Sequence, residues 1–123
     1  MRVLLDTHVL IWWDSGARLS PAAMKAIRSA DEVLVSSASA WEIAIKTALG
    51  KISGTRTIAA AVEASAFTEL PVLFRHAEAA ARLPSHHRDP FDRMLIAQAQ
   101  VEGLVVISRD QSFARYDLTL IPA

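Results

Sequence analysis

Four carboxylates stand where apolar elements begin or end. Asp6 follows Val3-Leu4-Leu5, and Glu42 lies inside Ala40-Trp41-Glu42-Ile43-Ala44-Ile45. Asp92 opens the run Met94-Leu95-Ile96-Ala97, and Asp110 closes Leu104-Val105-Val106-Ile107-Ser108-Arg109. A carboxylate at the edge of a core is costly unless something positive neutralises it. A divalent cation with oxygen ligands does so, and Mg²⁺ is the usual one where phosphates react. The chemistry these residues can perform together is metal-assisted hydrolysis of a phosphodiester.

Taken singly, each acid also has a capping explanation. Asp6 suits the N-cap of a helix starting at Thr7 or His8. Glu42 lies three residues after Ser39 in a Ser-x-x-Glu capping box, and four before Lys46 on one helical face. Asp89-Pro90-Phe91-Asp92 reads as a cap, a proline at the first helical position and an acid in the first turn. Asp110 suits the cap of a short helix over 111–115. Helix N-termini favour carboxylates and phosphates alike, so capping and metal binding are compatible.

The elements that must position these acids alternate between strand and helix. Val3-Leu4-Leu5, Val33-Leu34-Val35-Ser36 and Val105-Val106-Ile107-Ser108 read as short buried strands, with Leu118-Thr119-Leu120-Ile121 a weaker last one. Glu69-Leu70-Pro71-Val72 is a further candidate, which its proline restricts to an edge or a strand end. Ser20-Pro21 starts a helix as N-cap and N1. Further helices are expected over 40–49, 58–66, 75–83 and 91–101, with Gly50 and Gly103 as stops and a loop at Ser53-Gly54-Thr55. Continuous apolar strands between helices imply a largely parallel sheet covered on both faces. Ligands of such sheets bind beyond the carboxyl ends of the strands, where Asp6 and Asp110 both fall.

Composition bounds the reading. At 123 residues the chain is expected to form a single domain, 1–123. Thirteen basic and thirteen acidic residues cancel, which argues mildly against nucleic-acid binding unless the acids cluster on metal and leave a net positive surface. The absence of cysteine excludes a disulfide scaffold and a thiolate zinc site, and fits a reducing cytoplasm. Asp6 interrupts the only N-terminal apolar run that could serve as a signal peptide, and no stretch is long enough to span a membrane. A hydrophobic content of 52% suggests apolar surface reserved for a partner, with Val9 to Trp13 and the alanine-rich 58–67 as candidates.

His86-His87-Arg88-Asp89 with Asp92 offers a rival transition-metal constellation, but it lacks the spacing of a zinc hydrolase and the histidines are expected in an exposed loop, while His8 and His76 carry no signal of their own. Lys46, Arg88, Arg93 and Arg109 lie near the acids, as phosphate contacts or as charge compensation for a crowded pocket. Adjacent Trp12 and Trp13 cannot both point inward.

In this order, Leu4-Leu5-Asp6-Thr7-His8, Ser39-Ala40-Trp41-Glu42-Ile43-Ala44-Ile45-Lys46, His87-Arg88-Asp89-Pro90-Phe91-Asp92-Arg93-Met94-Leu95-Ile96-Ala97 and Ser108-Arg109-Asp110-Gln111-Ser112-Phe113 resemble the PIN-domain ribonucleases. Among these the likeness is to VapC-type toxins of toxin–antitoxin pairs, over nearly the whole chain. The resemblance implies a three-layer α/β/α sandwich with a short, mainly parallel sheet. It also implies Mg²⁺ or Mn²⁺ at an acidic site, endonucleolytic cleavage of RNA, a homodimer and a cognate antitoxin. Carried over, Asp6, Glu42, Asp92 and Asp110 are the catalytic and metal-binding acids. Asp89, Thr7 and Ser108 support them, and Lys46, Arg93 and Arg109 contact the RNA backbone. A DNA-directed nuclease and a non-catalytic interaction domain of the same fold are the alternatives.

Overall fold

The computed structural model describes residues 1–54 and 56–123. Five strands form one sheet: β1 (Arg2–Leu5), β2 (Glu32–Ser36), β3 (Thr68–Leu70), β4 (Val105–Ser108) and β5 (Leu120–Pro122). Their order is β3-β2-β1-β4-β5, and every pairing is parallel. Leu4 pairs with Leu34 on one side and Val106 on the other, which fixes the register of the centre. Helices α1 (Thr7–Ser15), α2 (Pro21–Ser29), α3 (Ser37–Ala48), α4 (Ile58–Ala64), α5 (Phe74–Arg82) and α6 (Pro90–Glu102) fill the connections. No helix among the described residues is long and apolar enough to cross a membrane.

Alternation along the strands divides the core in two. Val3, Leu5, Val33, Val35 and Ile107 face α1, α2 and α4. Leu4, Leu34, Leu70 and Val106 face the other way, onto Leu95, Ile96, Ala99 and Phe113. Each such side chain taken fully out of water contributes roughly 1.5–3 kcal/mol, and the two clusters together clamp the sheet as a middle layer. This is the three-layer parallel architecture expected from the pattern of apolar runs.

Several boundaries differ from the sequence reading. Helix α3 starts at Ser37, three residues early, because Ser36 takes the cap and accepts from the Ala38 amide at 3.0 Å. Ser39 is thereby a helical residue, and the Ser39–Glu42 capping box does not form. The last strand is Leu120–Pro122, with Pro122 at the sheet edge where it costs no interior ladder bond. The loop expected at Ser53-Gly54-Thr55 falls in part on Thr55, outside the described residues. Ser20 caps α2 and Asp89 caps α6 as their sequence contexts predict. Gly103 closes α6 at φ +67°, a conformation that a Cβ would disfavour.

The expected apolar surface lies elsewhere than predicted. Val9, Leu10, Ile58 and Ala61 are core residues, and Trp13 is held inward by an Nε1–H bond to Ser65. The exposed large apolar side chains include Trp41 (66% exposed), Val72, Leu73 and Phe74 (89%).

Candidate active site

The strand order runs outward from β1 in one direction and from β4 in the other, so the two neighbours form a topological switch point. Asp6 extends the β1 ladder by one bond, its amide donating to the Ile107 carbonyl at 3.0 Å. Its side chain therefore stands beside Ser108. The Ser108 hydroxyl donates to Asp6 Oδ2 at 2.7 Å and accepts from the Asp110 amide at 3.0 Å, tying the first acid to the last. Asp6 occupies the cap position of α1 without a full side-chain cap bond, so capping alone does not account for its carboxylate.

The other acids reach the same rim from helix starts. Glu42 is one turn into α3, buried to 4% exposure, with Oε2 accepting from Lys46 Nζ at 2.7 Å. Its Oε1 is buried without a hydrogen-bond partner among the described residues. Asp89 Oδ1 accepts from the Phe91 and Asp92 amides at 2.8 and 3.3 Å, which sets the first turn of α6 and aims Asp92. Asp110 Oδ1 accepts from the Ser112 amide and hydroxyl at 2.9 and 2.7 Å. Buried polar side chains concentrate here: Asp6, Thr7, Ser36, Ser39, Glu42 and Ser108 all lie at this edge.

The electrostatics follow from the crowding. Burial, followed by the charges of Asp6, Asp89, Glu42 and Asp110, pushes the Asp92 carboxyl from its ordinary 3.8 up to about 8. Burial also raises Asp6 against the Ser108 hydrogen bond and the His8 charge, with Glu42 adding to the rise. At Asp110 burial acts upward, but bonds from Ser112 and His87 overcome it and hold the carboxyl low. The hydrogen bond to Glu42 raises the Lys46 ammonium, with further help from Asp89 and Asp92. One deep acid that resists ionisation beside a better-solvated one that does not is a pattern of functional sites.

The basic and hydroxyl residues fall differently from their sequence reading. Arg93 spends its guanidinium on four backbone carbonyls, those of Ala80, Leu83, Pro84 and His87, at 2.9–3.2 Å. It fastens the 83–88 loop to α6 with four of its five N–H donors, leaving Nε–H as the one not spent on these carbonyls. Arg109 donates to the carbonyls of Arg18 and Ala123 and lies 3.9 Å over the Trp12 ring. Thr7 donates to Ser39 Oγ at 2.7 Å and so links α1 to α3. Lys46 holds its ammonium at the acid cluster, on Glu42 Oε2.

His87 is the residue that the sequence reading set aside. It is not in an exposed loop; only 16% of its side chain is accessible, and Nε2 lies 3.0 Å from Asp110 Oδ2 and 2.9 Å from Asp92 Oδ2. A signal was available. His87 sits two residues before the Asp89 cap, so it shares the rim on which α6 begins.

A parallel three-layer α/β chain with carboxylates gathered at its switch point defines the class to which this site belongs. The PIN domain family matches residues 3–118, and the chain belongs to that family. It is 36% identical over 118 residues to Ribonuclease VapC22 of Mycobacterium tuberculosis (strain ATCC 25618 / H37Rv), covering 89% of this chain and 87% of that protein. Among solved structures it resembles VapBC-5 from Mycobacterium tuberculosis, a member of the VapBC family of toxin–antitoxin systems, at TM-score 0.62 and 25% identity over 98% of this chain and 96% of that one. It also shares the fold of VapBC2 from Rickettsia felis bound to a DNA fragment from its promoter, at TM-score 0.73 and 11% identity, covering 99% and 98% of the two chains.

Proposed function

We propose that this chain is a metal-dependent endoribonuclease toxin of the VapC type, which cleaves RNA at the acidic rim and is inhibited by a cognate antitoxin. The observation that carries this reading is the convergence on Asp92 of burial and four other acids. The likeness to Ribonuclease VapC22 supports RNA as substrate, and the likeness to a VapBC toxin–antitoxin structure supports the partner.

The residues present fit a hard divalent cation. Glu42 Oε1 is an oxygen buried without a donor, and Asp6 and Asp92 are raised by surroundings that a cation would offset. Asp6, Asp92 and Asp110 are the proposed direct ligands of Mg²⁺ or Mn²⁺, with Glu42 binding directly or through water. When bound, such a cation supplies Lewis-acid activation of water and neutralises charge growing on the phosphate. Ser108 keeps Asp6 and Asp110 in fixed relation, and Asp89 sets the turn that presents Asp92. Lys46 neutralises Glu42 and offers the remaining ammonium protons to the substrate backbone, which positions a strand without choosing its sequence.

Incubating purified protein with labelled structured RNA, and with the same sequence as DNA, tests the reading. Discrete RNA products with Mn²⁺ or Mg²⁺ and none with EDTA are expected. Equal cutting of DNA would show that no 2′-hydroxyl is read, and would move the assignment to a general nuclease.

The proposed homodimer uses the exposed face of α3 and α6. Trp41 meets Phe91 edge-on at 5.4 Å, and the two line a groove with Ala38, Val72, Pro90 and Met94. Such a contiguous apolar surface is characteristic of an interface. Light scattering is expected to find a dimer, and the double variant Trp41→Glu, Val72→Glu a monomer. A wild-type monomer at all concentrations would end the dimer reading.

A further inference from the structure

The donor atoms of His87, Asp92 and Asp110 lie within 4.8 Å of one another, close enough to hold one ion between them. The hydrogen bonding of the imidazole argues against its being a ligand. The Asp89 amide donates to His87 Nδ1 at 3.2 Å, so that nitrogen must be the acceptor of the ring and the proton belongs on Nε2. A protonated Nε2 has no lone pair for a metal. It faces carboxylates, and it donates to Asp110 Oδ2 at 3.0 Å while touching Asp92 Oδ2 at 2.9 Å.

The ring is also held from every other side. Its backbone amide donates to Tyr116 Oη at 2.9 Å, and that hydroxyl in turn donates to the Pro84 carbonyl at 2.8 Å. The His87 carbonyl accepts from Arg93 Nη1 at 3.2 Å, and the imidazole packs edge-on against the buried Phe113 ring at 5.9 Å. A loop residue fixed by Tyr116, Arg93, Phe113 and the Asp89 amide is a rigid donor. The carboxylates that it meets come from different elements, Asp92 from α6 and Asp110 from the turn after β4.

We propose that His87 is a positioning residue: its fixed Nε2–H orients the Asp110 carboxylate and sets its spacing from Asp92, so that both are preorganised for the cation. With the Ser112 amide and hydroxyl on Oδ1 and His87 on Oδ2, Asp110 cannot rotate about its Cβ–Cγ bond, and Oδ2, which accepts a single bond, keeps a lone pair for metal. Partners that orient metal-binding side chains in this way typically hold about 10–100-fold of metal affinity. This inference rests on the acidic rim being the metal site.

Mn²⁺ titration by calorimetry separates the possibilities, using wild type, His87→Phe and His87→Gln beside their melting curves. Phenylalanine keeps the ring packing on Phe113 and removes both nitrogens; glutamine returns an N–H near the Nε2 position. We expect His87→Phe to bind Mn²⁺ about 10-fold or more weakly with its melting point held, and His87→Gln to recover most of the loss. RNA cleavage at saturating Mn²⁺ should fall less than cleavage at limiting Mn²⁺. A folded His87→Phe protein with wild-type or tighter Mn²⁺ affinity would overturn the proposal alone. A wild-type protein that takes up no Mn²⁺ would overturn the metal-site reading and this proposal with it.

Discussion

Asp92→Asn is expected to reduce RNA cleavage by more than about 10²-fold and at the same time to stabilise the metal-free protein at alkaline pH. The first effect is a lower bound, because losing even a residue that merely orients a ligand costs about 10–100-fold, and Asp92 sits among all the other acids. The second follows from linkage. In the unfolded chain the carboxyl ionises near its ordinary 3.8, whereas in the folded protein burial and then Asp6, Asp89, Glu42 and Asp110 hold it to about 8. A folded-state value above the unfolded one means that the stability tied to this proton is fully present below about pH 4 and is lost as pH rises toward 8. Asparagine has no proton to lose, so the variant escapes that loss. At about 1.4 kcal/mol per pH unit the ceiling is near ~6 kcal/mol. Relaxation of the cluster and partial solvation should leave roughly 2–3 kcal/mol. Urea unfolding in EDTA at about pH 5 and about pH 8.5 reads it directly. The variant should gain on wild type between the two; a constant gap would mean that Asp92 ionises normally and that the acids are less crowded than the geometry requires.

Much of this architecture is legible in the sequence, and for a physical reason. Short runs such as Val3-Leu4-Leu5 and Val105-Val106-Ile107 are apolar at consecutive positions, and their shortness and valine content suit a strand covered on both faces. That fixed the sheet as parallel and hence placed Asp6 and Asp110 at one edge. The convergence of Glu42 and Asp92 on that edge depended on where their helices start, and both starts carry strong caps. What could not be read was the direction of long or two-sided side chains. Arg93 and Arg109 look like phosphate contacts because charge beside an acid cluster invites that reading, but guanidinium groups with several donors are equally suited to gather loop carbonyls. Which use prevails depends on how the 83–88 loop and the C-terminus pack. Ser39 shows the same limit at short range. Its spacing from Glu42 satisfies a capping box, but Ser36, at the end of β2, begins the helix earlier and leaves Ser39 to meet Thr7. The apolar face around Trp41 gave no sequence signal of its own, since its exposure depends on which side of α3 turns outward.

Mn²⁺ affinity is expected to climb with pH by about tenfold per unit from about pH 6 and to level off above about pH 8. The argument runs through the same proton. A carboxyl that holds its proton up to about 8 must release it before a cation can use both of its oxygens. Below that value each binding event therefore expels about one proton, and affinity depends on pH with unit slope. Asp110, which its Ser112 and His87 bonds hold low, is ionised throughout this range and adds nothing to the slope. Asp6 is raised as well, so the slope would steepen toward the acid end if its proton is also displaced. Calorimetry in two buffers of different ionisation enthalpy counts the protons released. About one proton at pH 7 and none at pH 9 is the expected result. No release at either pH would mean that the metal does not compete for Asp92, and would leave Asp6, Asp110 and Glu42 as the acids that hold it. The same competition ties catalysis to stability: the repulsion that makes the metal-free site costly at alkaline pH is what the cation relieves, so added Mn²⁺ should raise the melting temperature more at about pH 8.5 than at about pH 6.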